Sequence, residues 1–109
     1  MDTITFDDFK KLDIRIGTVT SAERVADTDK LIVLSVLLGE ETRTIVSGIA
    51  EYFPEPKSLE GRQVPVITNL EPRNIRGIES KGMILYVVGD GFLTTLEPSR
   101  QTQNGTPVK

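Results

Sequence analysis

The sequence contains no cysteine and no histidine. Without them there is no thiolate nucleophile, no imidazole base, no disulfide and no typical zinc site. Carboxylates, lysines and hydroxyls remain, a thin set for catalysis, so no enzymatic activity, cofactor or metal is expected. A chain free of cysteine also fits a reducing compartment. No apolar run approaches the length of a membrane span, and Met1-Asp2-Thr3-Ile4-Thr5-Phe6-Asp7 lacks a basic region followed by a hydrophobic core. Cytoplasmic residence, with no membrane association, is the expectation. Aromatic residues are few: Phe6, Phe9, Tyr52, Phe53, Tyr86 and Phe92.

What is present describes an ordinary soluble protein, 38% apolar and 27% charged. A chain of 109 residues supplies one core, so residues 1–109 are expected to form a single domain. The net charge of −3 is unexpected for a nucleic-acid binder, which usually wears a basic surface. Its distribution matters more. From Arg62 to Lys81 four basic residues (Arg62, Arg73, Arg76, Lys81) face two acidic ones, Glu71 and Glu79. A locally positive stretch on an acidic body binds phosphates only at that spot.

Along the chain, Thr5 with Asp8 three residues on resembles a capping box, and Phe6 and Phe9 follow at helical spacing. A short helix over about residues 5–11 is predicted, one that must dock its phenylalanines on the core or on a second subunit. Residues 13–19 alternate as a strand, with Gly17 suggesting a bend or bulge. Such a bent first strand suits a small closed barrel, in which one strand serves both halves of the sheet. Residues 21–29 read as a polar connection, residues 31–38 as a central strand, and residues 43–46 as its hairpin partner. Pro54 and Pro56 limit the stretch from Ile49 to Gly61 to short turns. A fourth strand is expected over 64–69, pushed toward an edge by Pro65. Residues 83–88 form the fifth, and the Gly89-Asp90-Gly91 turn leads to a sixth over 92–96. Asn104-Gly105 marks a turn in the tail. Five or six short strands with one irregular interruption between the third and fourth point to an all-β, five-stranded OB-fold barrel, with a short N-terminal helix and extra C-terminal strands. A two-sheet sandwich is the alternative.

Between the fourth and fifth strands runs a long loop, from Thr68 to Met83. It presents Asn69, Arg73, Arg76, Ser80 and Lys81 beside Gly77 and Gly82, two glycines that let a backbone approach a ligand. If the segment turns, both guanidiniums reach one side and grip adjacent phosphates. Otherwise they are solvated or paired with Glu71 and Glu79. Asn69 reads equally as a strand-end residue bonded to backbone, Ser80 as a support for the loop, and Met83 as core. Arg15 is expected in a structural ion pair with Asp13. The neighbouring acids Asp7-Asp8 and Glu40-Glu41 suit a helix start and a solvated turn rather than a metal. No aromatic residue lies in the loop, so stacking on single strands is not expected.

Phe6-Asp7-Asp8-Phe9, Asp13-Ile14-Arg15-Ile16-Gly17, Asp29-Lys30-Leu31, Ile45-Val46-Ser47-Gly48-Ile49, Asn69-Leu70-Glu71-Pro72-Arg73 and Gly77-Ile78-Glu79-Ser80-Lys81-Gly82-Met83 together resemble the tRNA-binding OB domain. That domain occurs at the C-terminus of bacterial methionyl-tRNA synthetases, as a free-standing tRNA-binding protein and in export-chaperone-like relatives. The similarity spans roughly Thr5 to Lys109. It implies a homodimer that holds the outer corner of tRNA without reading sequence, alone or with the synthetase's catalytic part. By position, the resemblance puts Lys30, Asn69, Arg73, Arg76, Ser80 and Met83 on the RNA face. Asn74 and Lys81 depart from it, since relatives often carry Lys or Arg, and Gln, at these two places. The alternative function within the resemblance is a chaperone-like module that binds unfolded polypeptide.

Overall fold

Strand β1 (Ile14–Arg24) is the longest element and the one to which the others attach. The computed structural model describes all residues, 1–109. Its main sheet runs β3 (Glu41–Ser47), β2 (Ile32–Leu38), β1, β4 (Gln63–Ile67) and β7 (Met83–Ile84), with β10 (Pro107–Val108) also paired to β1. Two small hairpins stand apart from it: β5 (Arg73–Ile75) with β6 (Ile78–Ser80), and β8 (Tyr86–Val88) with β9 (Leu93–Thr95). Two 3₁₀ turns, Ala50–Tyr52 and Pro56–Leu59, fill the interval between β3 and β4. Lys81 N donates to Thr44 O at 2.9 Å, which brings the far end of the sheet back onto β3. The curled five-strand sheet with its interruption after the third strand is the all-β OB architecture.

The sequence misleads at the end of β1. The residues read as a connection, Ser21 to Arg24, continue the strand and pair with Ser35, Leu34, Val33 and Ile32. Only Ala22 of these four faces the core, so the segment looks polar although it is hydrogen-bonded throughout. A register shift between Val19 and Ser21 bends the strand, and the bulge therefore sits there rather than at Gly17. Gly17 does different work. A Cβ added to it would lie 2.7 Å from Val36 Cγ1, 2.8 Å from Leu38 Cδ2 and 2.9 Å from Leu37 O. The glycine lets β1 and β2 pack where a methyl group would not fit.

Pro65 is likewise not on an edge. It lies opposite Ile16 in a strand flanked by β1 on one side and β7 on the other. Ile16 spends its own amide and carbonyl on Thr106 O and Gly105 N, so β1 asks nothing of Pro65 there. On the other side the ladder with β7 covers only Val66 and Ile67. The missing donor falls where pairing stops. The expected fifth strand is divided at Leu85, β7 joining the main sheet and β8 leaving it for β9. Fourteen buried residues make the core, drawn mainly from β1 to β4 and the 3₁₀ turns, with Ile32, Leu34, Ile45 and Leu59 among the largest. Beside it the half-buried Tyr86 donates its hydroxyl to Ser47 Oγ at 3.0 Å, and burial pushes the phenol up to about 12.

Helix α1 (Phe6–Lys10) forms as its cap foretells, Thr5 Oγ1 accepting from Asp8 N at 3.1 Å. None of its residues is buried; Phe6 is 72% exposed and Phe9 39%. The phenylalanines do not dock on this chain's core. A latch instead holds the segment between α1 and β1. Thr68 Oγ1 donates to Asp13 Oδ2 at 2.6 Å, and Thr68 N donates to Asp13 O at 2.8 Å. Arg15 Nε donates to the same carboxylate at 3.0 Å, the ion pair expected from sequence. The Thr68 hydroxyl first, then Arg15, holds the Asp13 carboxyl below its ordinary value, against a smaller opposing effect of burial.

Two outcomes follow from this architecture. Gly17→Ala should lose about 1–3 kcal/mol, read as a lower urea midpoint with an unchanged slope, because the added methyl overpacks a contact that includes backbone. For Asp13 the folded value is depressed, so its contribution is present above the ordinary carboxylate value and lost as pH falls through the folded one. Asp13→Asn should therefore lower the urea midpoint at neutral pH, with the gap to the unsubstituted protein closing below about pH 4. A gap constant across that range would contradict the latch.

Candidate nucleic-acid interface

The long loop of the sequence is built around the β5–β6 hairpin. Arg73, Asn74 and Ile75 pair with Ser80, Glu79 and Ile78, leaving Arg76-Gly77 as a two-residue turn. Both turn residues have positive φ, 54° and 81°, the backbone whose twist suits a tight hairpin. Asn74 Oδ1 accepts from Gly77 N at 3.0 Å and fixes the turn. Glycine at the second position costs nothing. Arginine at the first is held in a conformation that L-residues adopt at a cost of roughly 1–2 kcal/mol. The chain thus keeps a guanidinium at the hairpin's tip where asparagine or glycine would be easier.

Arg76 shares a cleft of about 350 Å³ with Thr28, Asp29, Lys30 and Leu31. Lys30 and Arg76 are far apart in sequence, and the fold brings both to this cleft. Arg73 lies elsewhere. It lines a second cavity, of about 280 Å³, with Val46, Leu70, Glu71, Ile75, Ser80, Gly82 and Met83. The two guanidiniums therefore do not converge on one spot, as a single turn would have placed them; the length of the hairpin separates them. Neither is paired to a carboxylate within 4.0 Å, and neither is Lys30, whereas Glu79 engages Lys81 at 3.4 Å. Arg62, counted with the basic stretch, is drawn away from it: it donates to Thr95 Oγ1, lies 3.7 Å from Glu97 and sits over the Phe53 ring.

The other sequence candidates have structural partners. Asn69 Oδ1 accepts from Asp13 N at 2.9 Å and its Nδ2 donates to Lys11 O at 2.6 Å, so the side chain braces the junction of α1 and β1. Ser80 is only 6% exposed, and its Oγ accepts from Val46 N at 3.0 Å. Met83 is half-exposed at the rim of the second cavity rather than in the core. Of the two loop glycines, Gly77 stands open, but Gly82 yields its space to the protein itself. A Cβ on Gly82 would lie 3.0 Å from Ile67 O and 3.3 Å from Val66 Cγ1. Sequence reasoning missed the contribution of Val46, Leu70 and Ile75 to the cavity wall. Ile75 and Ile78 inside an otherwise polar loop were the available signal.

No helix is long and apolar enough to cross a membrane. The family described as "Putative tRNA binding domain" matches residues 14–107. Methionine–tRNA ligases contain similar stretches: that of Methanococcoides burtonii is 52% identical over 98% of this chain, and that of Bacteroides fragilis 50% over 97%. The chain spans only about 15–16% of the length of these ligases. The part matched is their tRNA-binding accessory domain and not the catalytic part. Among solved structures, the MetRS related protein from Pyrococcus horikoshii superimposes with a TM-score of 0.93 at 34% identity, covering all of both chains. The chaperone CsaA from Bacillus anthracis does so with 0.89 at 31%, over 99% of this chain and all of that one. With its fold, its order of elements and nearly its whole length matched, this chain belongs to the tRNA-binding-domain family.

Proposed function

We propose that residues 1–109 act as one non-catalytic domain that binds tRNA by its sugar–phosphate framework. The observation that carries this reading is the strained Arg76 at the hairpin tip, which lines one cleft with Lys30, neither cation being in an ion pair. Arg73 extends the positive surface toward the hairpin's root. Lys30, Arg73 and Arg76, none of them in an ion pair, gather attraction for phosphate around the hairpin of a chain whose net charge is −3. No aromatic ring lies in the hairpin, which suits recognition of a folded RNA's backbone and shape over stacking on a single strand. Lys30, Arg73 and Arg76 are the direct contacts in this reading and Met83 an apolar one; Asn69 holds the surface in place, and the Ser80 oxygen ties the hairpin's root to β3.

The expected site of action is the cytoplasm, where the domain would raise the tRNA affinity of a methionyl-tRNA synthetase catalytic part joined to it or bound beside it, through effective concentration. A homodimer fits the exposed apolar face of α1, where Phe6 and Phe9 lie with Ile4 and Leu12, all at least 39% exposed. Pairing two copies would cover this face and double the RNA-binding surface. A chaperone-like reading, peptide capture by exposed apolar residues, draws support from the likeness to CsaA and from Val88 and Phe92 on the β8–β9 hairpin, 70% and 53% exposed.

Fluorescence anisotropy with labelled tRNA at several salt concentrations tests the main reading. Replacing Arg73 and Arg76 together with alanine should weaken binding equally for different tRNAs and reduce the log–log salt slope by about 1 per cation removed. Binding of an unfolded peptide that tolerates both salt and the substitutions, with no saturable tRNA binding, would establish the chaperone instead. Sedimentation tests the pairing: the protein should run as a dimer, and Phe6→Glu with Phe9→Glu should leave a folded monomer. A monomer before substitution would remove that part of the reading.

A further inference from the structure

The cavity at the root of the hairpin has a chemistry that phosphate binding does not use. Its walls are aliphatic, from Val46, Leu70, Ile75 and Met83, and Arg73 and Glu71 stand among them. Arg73 and Ser80 are directly opposed across the β5–β6 ladder, so guanidinium and hydroxyl lie on the same face of the hairpin. Ser80 is buried, and its oxygen accepts from Val46 N. The hydroxyl hydrogen is not spent in that bond, and no side-chain hydrogen bond of the protein uses it. A buried donor beside an apolar wall is a costly thing to leave unanswered.

We propose that this cavity receives one unpaired nucleobase of the bound RNA. The inference rests on the tRNA reading and adds to it a place for a base. The aliphatic walls take the two faces of the ring, Ser80 donates to a carbonyl oxygen or ring nitrogen on its edge, and Arg73 holds the phosphate of the same nucleotide. Glu71 can accept from an exocyclic amino group. An aliphatic side chain of a peptide would satisfy the walls but leave both the serine hydrogen and the guanidinium without a partner, and for that reason the nucleotide is the better occupant. Folded RNA offers such bases at its loops, whereas a perfect duplex offers none.

Amide NMR shifts of the whole chain distinguish the possibilities, with three probes: tRNA, a blunt RNA duplex without unpaired nucleotides, and an unfolded apolar peptide. With tRNA, the amides of Val46, Ser80 and Gly82 should move along with those of Lys30 and Arg76; with the duplex, only the latter pair should move. Leu70→Trp, at a half-exposed position on the cavity wall, should fill the space and weaken tRNA binding about tenfold while duplex binding is unchanged. Ser80→Ala should weaken tRNA binding as well, with a thermal melt to separate lost fold from lost contact. If tRNA shifts Lys30 and Arg76 but not Val46 or Ser80, and Leu70→Trp binds tRNA normally, the base site is wrong and the phosphate reading stands. Should neither RNA bind, both readings fall. Movement of the cavity amides with peptide alone would assign the cavity to polypeptide.

Discussion

Strand β1 has to satisfy three partners with one backbone. Its first half pairs with β4 from Ile14 to Thr18, its second half pairs with β2 from Thr18 to Arg24, and the C-terminal β10 joins at Ile14 and Arg15. Eleven residues in a straight ribbon could not do this, because a flat strand would point both partners along one plane. The irregularity between Val19 and Ser21 turns the ribbon, and the close approach at Gly17 lets the turned half lie down on β2. Every later element takes its place from that bend. β4 carries the chain to the foot of the β5–β6 hairpin, and β3 supplies Thr44 and Val46, to which the returning end of the hairpin's root is tied.

Charge is arranged by the same frame. Five ion pairs neutralise surface charge locally, among them Arg15 with Asp13, Arg43 with Glu41 and Arg62 with Glu97. Arg43 additionally donates to Thr68 O, so it contributes to the latch beneath the hairpin rather than to the field above it. Pairs this exposed contribute little to stability individually. Their effect on the surface potential is larger, because each one removes a cation from competition with Lys30, Arg73 and Arg76. The acidic sum of the sequence thus coexists with a hairpin around which Lys30, Arg73 and Arg76 stand outside any ion pair.

Much of this was legible in the residues. The alternation of residues 13–19, the apolar run from Leu31 to Leu38 and the Gly89-Asp90-Gly91 turn each specify local structure, and each formed where expected. Thr5 and Asp8 announced α1 for the same reason: a cap is a contact between near neighbours. What stayed hidden depends on distant partners. The sequence of Ser21 to Arg24 gives no sign that β2 lies alongside it, since one inward residue, Ala22, carries the burial. Pro65 declares a missing donor but not which neighbour would have needed it. The structural bonds of Asn69 and Ser80, to Lys11, Asp13 and Val46, cross 34 to 58 positions, and no local pattern foretells them. The basic character of the segment was readable, but the cleft that joins Arg76 to Lys30 was not, because only the completed barrel brings Thr28–Leu31 to the hairpin tip.

The β5–β6 hairpin shares no ladder with the main sheet. Its root is anchored at one end through Ser80 and Lys81, and its outward residues Arg73, Asn74, Arg76 and Glu79 contribute no buried side chain to the core. Mutational drift at Arg73 and Glu79, which neither close the turn nor enter the core, is accordingly shielded from the selection that protects folding. A lineage carrying this barrel can retune what it grasps, or how firmly, by editing a few codons, while the hydrophobic interior is inherited intact.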